Sequence, residues 1–443
     1  MKTTLLFMII IFAFSSHVYS QTKKSRIAVI GAGIGGLSAA HYLKKSGFSD
    51  ITVYEKDSDV GGKINSFIYE GKPYEMGAVW LGGEYKIIQE LAEEFSLSYR
   101  KVTEPGILKN KKIYSYNEYA LTQYNFFRLA SSLSSYKSLK KRYPELEQEG
   151  FQDYSSLLQE NVLKFSREEG IWALCDLTAS FMTGCGYGYF ESIPAMYLMK
   201  LIPMAINGLL KERFGRAPFL VASFEAGWQQ LLREMAKELD VRLDSSVDSV
   251  KRIKQDDGTY KVLLTSSGVT AEYDQIVIAS PLQATKSFID LDEEERNLFD
   301  KIDTYRYIVT LIKGKNIPHV SLMDHVSENT IGHVNLLAQY QESEDVYTVY
   351  QIVPKSMSLA AAKKIMIEDI EACGGSYEEE ITQRVWDYFP HVASVGLKNG
   401  FYEKLESRQG EKATFYVGGI MNFETVESTA RYSKHLVEKY FKP

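Results

Sequence analysis

Three glycines stand at the spacing that lets a backbone meet a diphosphate. Gly31, Gly33 and Gly36 form GxGxxG within Gly31-Ala32-Gly33-Ile34-Gly35-Gly36. Gly31 permits a tight turn, Gly33 lets the main chain approach a pyrophosphate, and Gly36 lets a helix pack closely on a strand. The helix that follows offers unpaired N–H groups and the positive end of its dipole. Glu55, with Lys56 beside it, stands about twenty residues further on, where a carboxylate accepts hydrogen bonds from ribose hydroxyls. Gly61-Gly62 then precede Lys63, a cation able to neutralise phosphate, and Gly77-Ala78-Val79-Trp80 follow. These types at these spacings support binding of an adenine dinucleotide.

The elements that must position them are legible nearby. Arg26 to Ile30 reads as a compact apolar strand, and Leu37, Ala40, Tyr42 and Leu43 recur at helical spacing. Ile51 to Glu55 reads as a second strand ending in an acid. This is β-α-β, the setting in which the glycine pattern gains its meaning. Residues 85–215 read as mostly helical. Short strands are expected at Val241–Leu243, Val247–Ile253, Tyr260–Thr265 and Gln275–Ala279. Further strands are expected at Tyr307–Ile312, Ile331–Leu337, Val346–Val353 and Thr414–Val417. A helix is expected near Leu359–Ala372, and another closes the chain.

The combination Glu55, Gly61-Gly62-Lys63, Gly77-Ala78 and Trp80 resembles the extended FAD fingerprint of the flavin amine oxidase superfamily. That resemblance selects FAD over NAD. It implies that Gly61, Gly62 and Lys63 lie along the FAD diphosphate and that Gly77, Ala78, Val79 and Trp80 lie close to the flavin. It also places Val247 at the adenine. Trp386 to His391, Tyr416-Val417-Gly418-Gly419, Phe423 to Glu427 and Tyr432-Ser433 resemble the β-cyclopiazonate dehydrogenase-like branch. There Gly419 lies by the ribityl chain, and the helix start near Val426 and Glu427 points N–H groups at the flavin.

Three departures accompany the resemblance. The superfamily's Gly-Thr-Glu reads Gly419-Ile420-Met421 here, which puts a carboxylate contact to the ribityl chain in question. The lysine that holds a water near flavin N5 in amine oxidases has no counterpart in Thr304-Tyr305-Arg306-Tyr307-Ile308. That leaves Tyr305 and Tyr307 as candidates for a flavin-facing position, with a packing role the commoner one for such tyrosines. No cysteine lies in the final motif, so FAD is expected to be non-covalent.

The expected fold is α/β: an FAD-binding Rossmann-like (GR2-type) domain with a second α+β substrate domain. The first is assembled from residues 21–85, 216–285 and 400–443, the second from 86–215 and 286–399. Composition agrees with a folded chain of two or three domains. The chain has 443 residues, 45% of them hydrophobic, 24% charged and 13% aromatic. With 51 Lys+Arg and 57 Asp+Glu the net charge is −6, which argues against a nucleic-acid partner. Cys175, Cys185 and Cys373 and the seven histidines show no metal-ligand spacing, so no metal site is expected.

The first twenty residues read as a signal peptide. Lys2 is a short positive region, Leu5 to Phe14 is apolar, and Ser20 precedes a cut at Gln21. The expected location is therefore periplasmic or secreted, with no span after cleavage; a retained anchor is the alternative. Phe181 to Leu210, with Tyr187, Tyr189, Phe190, Pro194, Tyr197, Met199 and Met204, offers either a pocket wall or helix core. The function expected is hydride transfer from an organic, apolar or aromatic, amine-like or isoprenoid-like substrate to flavin N5, with O2 or another acceptor. A thioether oxidase like prenylcysteine oxidase and an isoprenoid desaturase are alternatives. A binding protein kept stable by FAD is the alternative of another class.

Overall fold

The computed structural model describes residues 24–202, 221–319, 321–324, 327–339 and 345–442. The signal segment 1–20 and Met204 lie outside the described residues.

A five-stranded parallel sheet runs in the order Asp240–Arg242, Ile51–Tyr54, Ile27–Ile30, Gln275–Ile278, Thr414–Tyr416. Four of its strands are buried on both faces, which is why they read as unbroken apolar runs rather than alternating ones. The helices Ile34–Lys45 and Val426–Tyr440 pack against each other beside it. Ser433 Oγ donates to the Gly35 carbonyl at 3.0 Å, tying the last helix to the first glycine turn. A three-stranded antiparallel sheet, Val247–Lys254, Tyr260–Ser266 and Val269–Tyr273, extends this region.

The second layer is a seven-stranded mixed sheet. Its order is Ser376–Val392, Ile302–Lys315, Val346–Val353, Val334–Ala338, Ser321–Met323, Gly106–Lys109, Lys112–Tyr114. The α/β class with a parallel Rossmann-like sheet and a mixed substrate-side sheet is therefore observed. Helix Leu359–Ala372 stands where the periodicity puts it.

Two features go beyond the expected elements. The described part of residues 85–215 is mostly helical, as expected, but Tyr99–Lys101, Gly106–Lys109 and Lys112–Tyr114 are strands. Gly106–Lys109 and Lys112–Tyr114 form a local hairpin, whereas Tyr99–Lys101 pairs with Val221–Phe224 and Gly106–Lys109 also with Ser321–Met323, far along the chain. The seventeen-residue strand Ser376–Val392 was not anticipated either. It is the sheet edge opposite Lys112–Tyr114, and its Glu378-Glu379-Glu380 run keeps that edge charged, as exposed edges require.

Candidate active site

The glycine turn leaves room for a group outside the protein. A Cβ at Gly36 would stand 1.9 Å from the Gly31 carbonyl oxygen, so close packing of helix on strand demands glycine there. Gly33 differs. Its φ of −77° suits any residue, and a Cβ there would meet no protein atom within 3.8 Å. Nothing inside the fold asks for glycine at Gly33, and the space beside it is open to a ligand. Gly61 bridges to Gly33, its N–H donating to the Ala32 carbonyl at 3.0 Å, so the two glycine segments lie side by side. Gly62, with φ +59°, adds the left-handed backbone that this loop needs.

Glu55 is buried at the end of its strand. One carboxylate oxygen accepts the Ala32 N–H at 2.8 Å and the other the Asp57 N–H at 3.0 Å. Each oxygen keeps lone pairs for further donors such as ribose hydroxyls. Lys56 points into solvent and pairs with Asp57, away from the glycines. The Ser245 N–H donates to the Glu55 carbonyl at 2.7 Å, bringing the start of the strand that opens with Val247 beside the acid. Ile34 opens the first helix, and Gly35 sits against Thr429 and Gly418 from the far end of the chain.

A cavity opens beside Lys63, the residue after this glycine pair, against the seven-stranded sheet. Lys63, Gly77, Ala78, Val79, Trp80, Thr425 and Val426 line one side of it. A Cβ at Gly77 would fall 1.9 Å from the Lys63 carbonyl oxygen, so this loop closes only on glycine. The loop is held from beneath by Glu75, whose carboxylate accepts the Trp228 N–H at 2.9 Å and the Ser66 hydroxyl at 2.8 Å. Burial pushes Glu75 up from 4.5 to about 7. Trp228 in turn donates its indole N–H to the Val79 carbonyl at 3.0 Å, and Trp386 donates to the Met76 carbonyl at 2.6 Å. Trp80 stacks on Phe181 at 5.6 Å.

The opposite wall is aromatic. Tyr307 stacks on Tyr388 at 5.3 Å and on Tyr350 at 6.0 Å, and Tyr388 on Tyr187 at 5.9 Å. Tyr307 donates its hydroxyl to the Gly184 carbonyl at 2.5 Å. Burial drives the tyrosines Tyr85, Tyr187, Tyr307 and Tyr388 well above their usual range. Of the two tyrosines singled out on the strand Ile302–Lys315, only Tyr307 lines the cavity. Tyr305 stacks on His391 at 5.0 Å, meets the Ser192 hydroxyl at 3.1 Å, and is pushed up by burial to about 12.

One ion pair stands in the cavity wall. Lys63 Nζ lies 2.7 Å from Glu424 Oε1 and 5.4 Å from the centre of the Tyr388 ring. The other Glu424 oxygen is buried with no partner among the described residues. It lies 2.0 Å from where a Gly419 Cβ would be, so glycine at that position lets the carboxylate fold back over the short helix Gly419–Asn422. Lys313, the lysine on the long strand, sits near its far end, 3.6 Å from Glu379 and 4.0 Å from Glu70. It is not in the cavity.

Sequence reading missed two contributors. Glu424 was seen only as part of a motif, because its carboxylate reaches Gly419 through a turn that spacing does not announce. The run Gly184-Cys185-Gly186-Tyr187-Gly188 lacks GxGxxG spacing and has no strand before it. Here Gly186 and Gly188 adopt φ of +83° and +84°, and Cβ atoms there would strike Tyr388 at 2.7 Å and Tyr305 at 2.4 Å. The clustered glycines were the available signal. From the aromatic stretch, Phe181, Tyr187 and Leu201 line the cavity, while Tyr189, Phe190, Tyr197 and Met199 are core. Among the described residues no group of His, Cys, Asp and Glu is arranged to hold a metal ion, and no helix is long and apolar enough to cross a membrane.

The site fits a dinucleotide with a flavin: an open cradle at Gly33, a buried acid at Glu55, and a carboxylate oxygen without a partner at Glu424. Comparison with known proteins agrees. The chain aligns over nearly its full length with a fatty acid isomerase from P. acnes, at 28% identity and a TM-score of 0.84, covering 95% of this chain and 100% of that one. FAD-dependent oxidoreductase dpchF of Colletotrichum higginsianum is 22% identical over 89% of this chain and 88% of its own. Tryptophan 2-monooxygenase of Allorhizobium ampelinum is 35% identical, but over only 24% of this chain and 16% of that protein. Residues 34–312, well over half of the chain, match the family described as flavin containing amine oxidoreductase. The protein is an FAD-dependent oxidoreductase belonging to that family.

Proposed function

We propose that the protein holds FAD non-covalently along its glycine mouth and acts on an apolar, unsaturated or aromatic substrate in the tyrosine-walled cavity. FAD, when bound, supplies the hydride acceptor at N5. The chain's own residues bind, orient and exclude water. Gly31 to Gly36 and Gly61-Gly62 cradle the diphosphate, Glu55 takes the ribose hydroxyls, and Val247 flanks the adenine. Gly77 to Trp80 and the helix start at Val426 border the flavin. Glu424, folded over Gly419, has an oxygen free to accept from a ribityl hydroxyl, in place of the carboxylate missing after Gly419. Cys185 lies in the cavity wall with its thiol pushed up by burial, which disfavours the thiolate.

The observation that carries the substrate class is the absence of a usable base among the described lining residues. The one carboxylate, Glu424, is paired with Lys63, and the buried tyrosines lie well above neutral pH. For an ammonium substrate the only lining carboxylate is thus one engaged by Lys63 through one oxygen and, in this reading, by the ribityl chain through the other. The full-length likeness to a fatty acid isomerase supports an apolar chain. The test is anaerobic incubation of purified protein with a polyunsaturated fatty acid, a farnesyl thioether and benzylamine. Flavin bleaching or a shifted double bond is expected with the first two. Rapid reduction by benzylamine overturns the reading. No response to any apolar donor favours a non-catalytic flavoprotein. Acid precipitation is expected to release FAD into the supernatant.

We also propose that residues 1–20 direct export, on the strength of the short apolar run ending near Ser20. Protein from its native host is then expected to begin near Gln21; an intact Met1 on cytoplasmic protein refutes this.

A further inference from the structure

Helix Phe126–Arg142 and its neighbour Tyr116–Gln123 present large apolar side chains to solvent. Leu121 is 68% exposed, Phe126 71% and Phe127 82%. Single exposed hydrophobes are commonplace. These differ in being joined: the two phenylalanine rings meet edge to face with centroids 6.0 Å apart, making one aromatic knob at the start of a helix capped by Asn125. Along the same exposed stripe follow Ala130, Ser134, Lys137 and Lys141, all solvent-facing. At 1.5 Å per residue, Lys141 stands about 21 Å from Phe127.

The charge on this helix runs against that of the whole chain. It carries Arg128, Lys137, Lys140, Lys141 and Arg142 and no acid, in a protein of net charge −6. Lys140 and Arg142 are matched by Glu147 and Glu169, whereas Lys137 and Lys141 meet no carboxylate among the described residues. The helix is firmly seated. Ser132, Tyr136 and Leu139 are buried beneath it, and Tyr124 just before it donates its hydroxyl to Asp176 at 2.7 Å. Asp176 belongs to helix Trp172–Gly184, whose far end lines the cavity.

We propose that this face docks on an anionic phospholipid surface. Phe126, Phe127 and Leu121 enter the boundary between headgroups and acyl chains, and Lys137 and Lys141 lie against lipid phosphates. An apolar tip with a cationic stripe on a helix that lies flat is the arrangement that such a surface selects. A second copy of the chain is the poorer occupant, because two-fold packing of this helix on itself brings no carboxylate to Lys137 or Lys141. The proposal stands on the surface alone and does not rest on the substrate reading.

The experiment uses the full chain carrying Phe127→Trp, compared with the unsubstituted chain. Both are mixed with phosphatidylcholine vesicles with or without phosphatidylglycerol, some with brominated acyl chains. The added tryptophan is expected to shift to the blue and be quenched by brominated lipid when phosphatidylglycerol is present. Lys137→Gln with Lys141→Gln is expected to weaken that response about thirtyfold, the scale of two lysines near an anionic surface. Emission that vesicles leave unchanged overturns the proposal. So does emission already blue-shifted before lipid is added, which means that the protein or a second copy covers the face. Insensitivity to the double lysine variant overturns the anionic part. Leu121→Trp provides an independent reporter on the neighbouring helix, and circular dichroism checks that each variant is folded.

Discussion

At the glycine mouth the surface is main chain, stripped of side chains at Gly33 and Gly62. In the neighbouring cavity the wall is side chain, filled by Tyr187, Tyr307, Tyr350 and Tyr388. Both use glycine, for opposite ends. At the mouth, Gly33 leaves space that no protein atom fills. Beside the cavity, Gly186 clears room for the Tyr388 ring, and Gly188 for the Tyr305 ring outside the cavity. The contrast teaches that a glycine's meaning lies in what would occupy its missing Cβ. It also separates two kinds of variant: those that lose the cofactor while keeping the fold, and those that do the reverse.

The sharpest break in this comparison is Gly33→Val set against Gly36→Val. The first is expected to weaken FAD binding by about a hundredfold or more, equivalent to about 3 kcal/mol, with the fold intact. Purified protein is then colourless, with a melting temperature near that of the parent stripped of FAD. Gly36→Val, whose Cβ meets the Gly31 carbonyl oxygen at 1.9 Å, is expected to lose stability as well. Equal melting temperatures for the two variants would contradict the distinction.

On the aromatic side, Tyr307→Phe tests whether that hydroxyl does chemistry or only packing. Its hydroxyl bonds the Gly184 carbonyl, and its loss leaves a buried acceptor unpaired at a cost of about 1–2 kcal/mol. Thermal unfolding is expected to show that loss, while flavin reduction stays within about threefold of the parent because a tyrosine so far above neutrality is no base. A fall of several orders of magnitude in reduction rate would make Tyr307 catalytic.

Glu75 connects the two sides, and its response is to pH. Burial raises its pKa in the fold to about 7 from an ordinary 4.5. The folded state therefore binds the proton more tightly than the unfolded chain. The stability this contributes is complete below about 4.5 and is lost as pH rises through about 7. Glu75→Gln is expected to flatten the stability profile between those values. An unchanged pH dependence of the melting temperature counts against this. The smallest effect is expected from Lys313→Ala: this lysine is held by Glu379 and Glu70 outside the cavity, so the reduction rate is expected to be unchanged.

What the sequence determined by itself is local. Gly31 to Gly36, the apolar runs Ile27–Ile30 and Ile51–Tyr54, and the helix Leu359–Ala372 are legible because each depends on neighbours within a few residues. Helical and strand periods, turn glycines and the helix terminus are short-range physics. Tertiary structure decided which distant residues share a wall. Tyr307 was readable as a tyrosine on a strand, but its partners Tyr187, Tyr350 and Tyr388 arrive from two other strands and a turn. Glu424 reaches Lys63 across 361 positions, and neither residue's neighbours hint at the other. The edge strand Ser376–Val392 lacks a strong pattern because one long flank faces water, so its existence rests on pairing with Ile302–Lys315 rather than on its own composition. Pairing over long separation is a property of the closed fold, where backbone groups far apart along the chain satisfy each other, and a linear reading has no access to that.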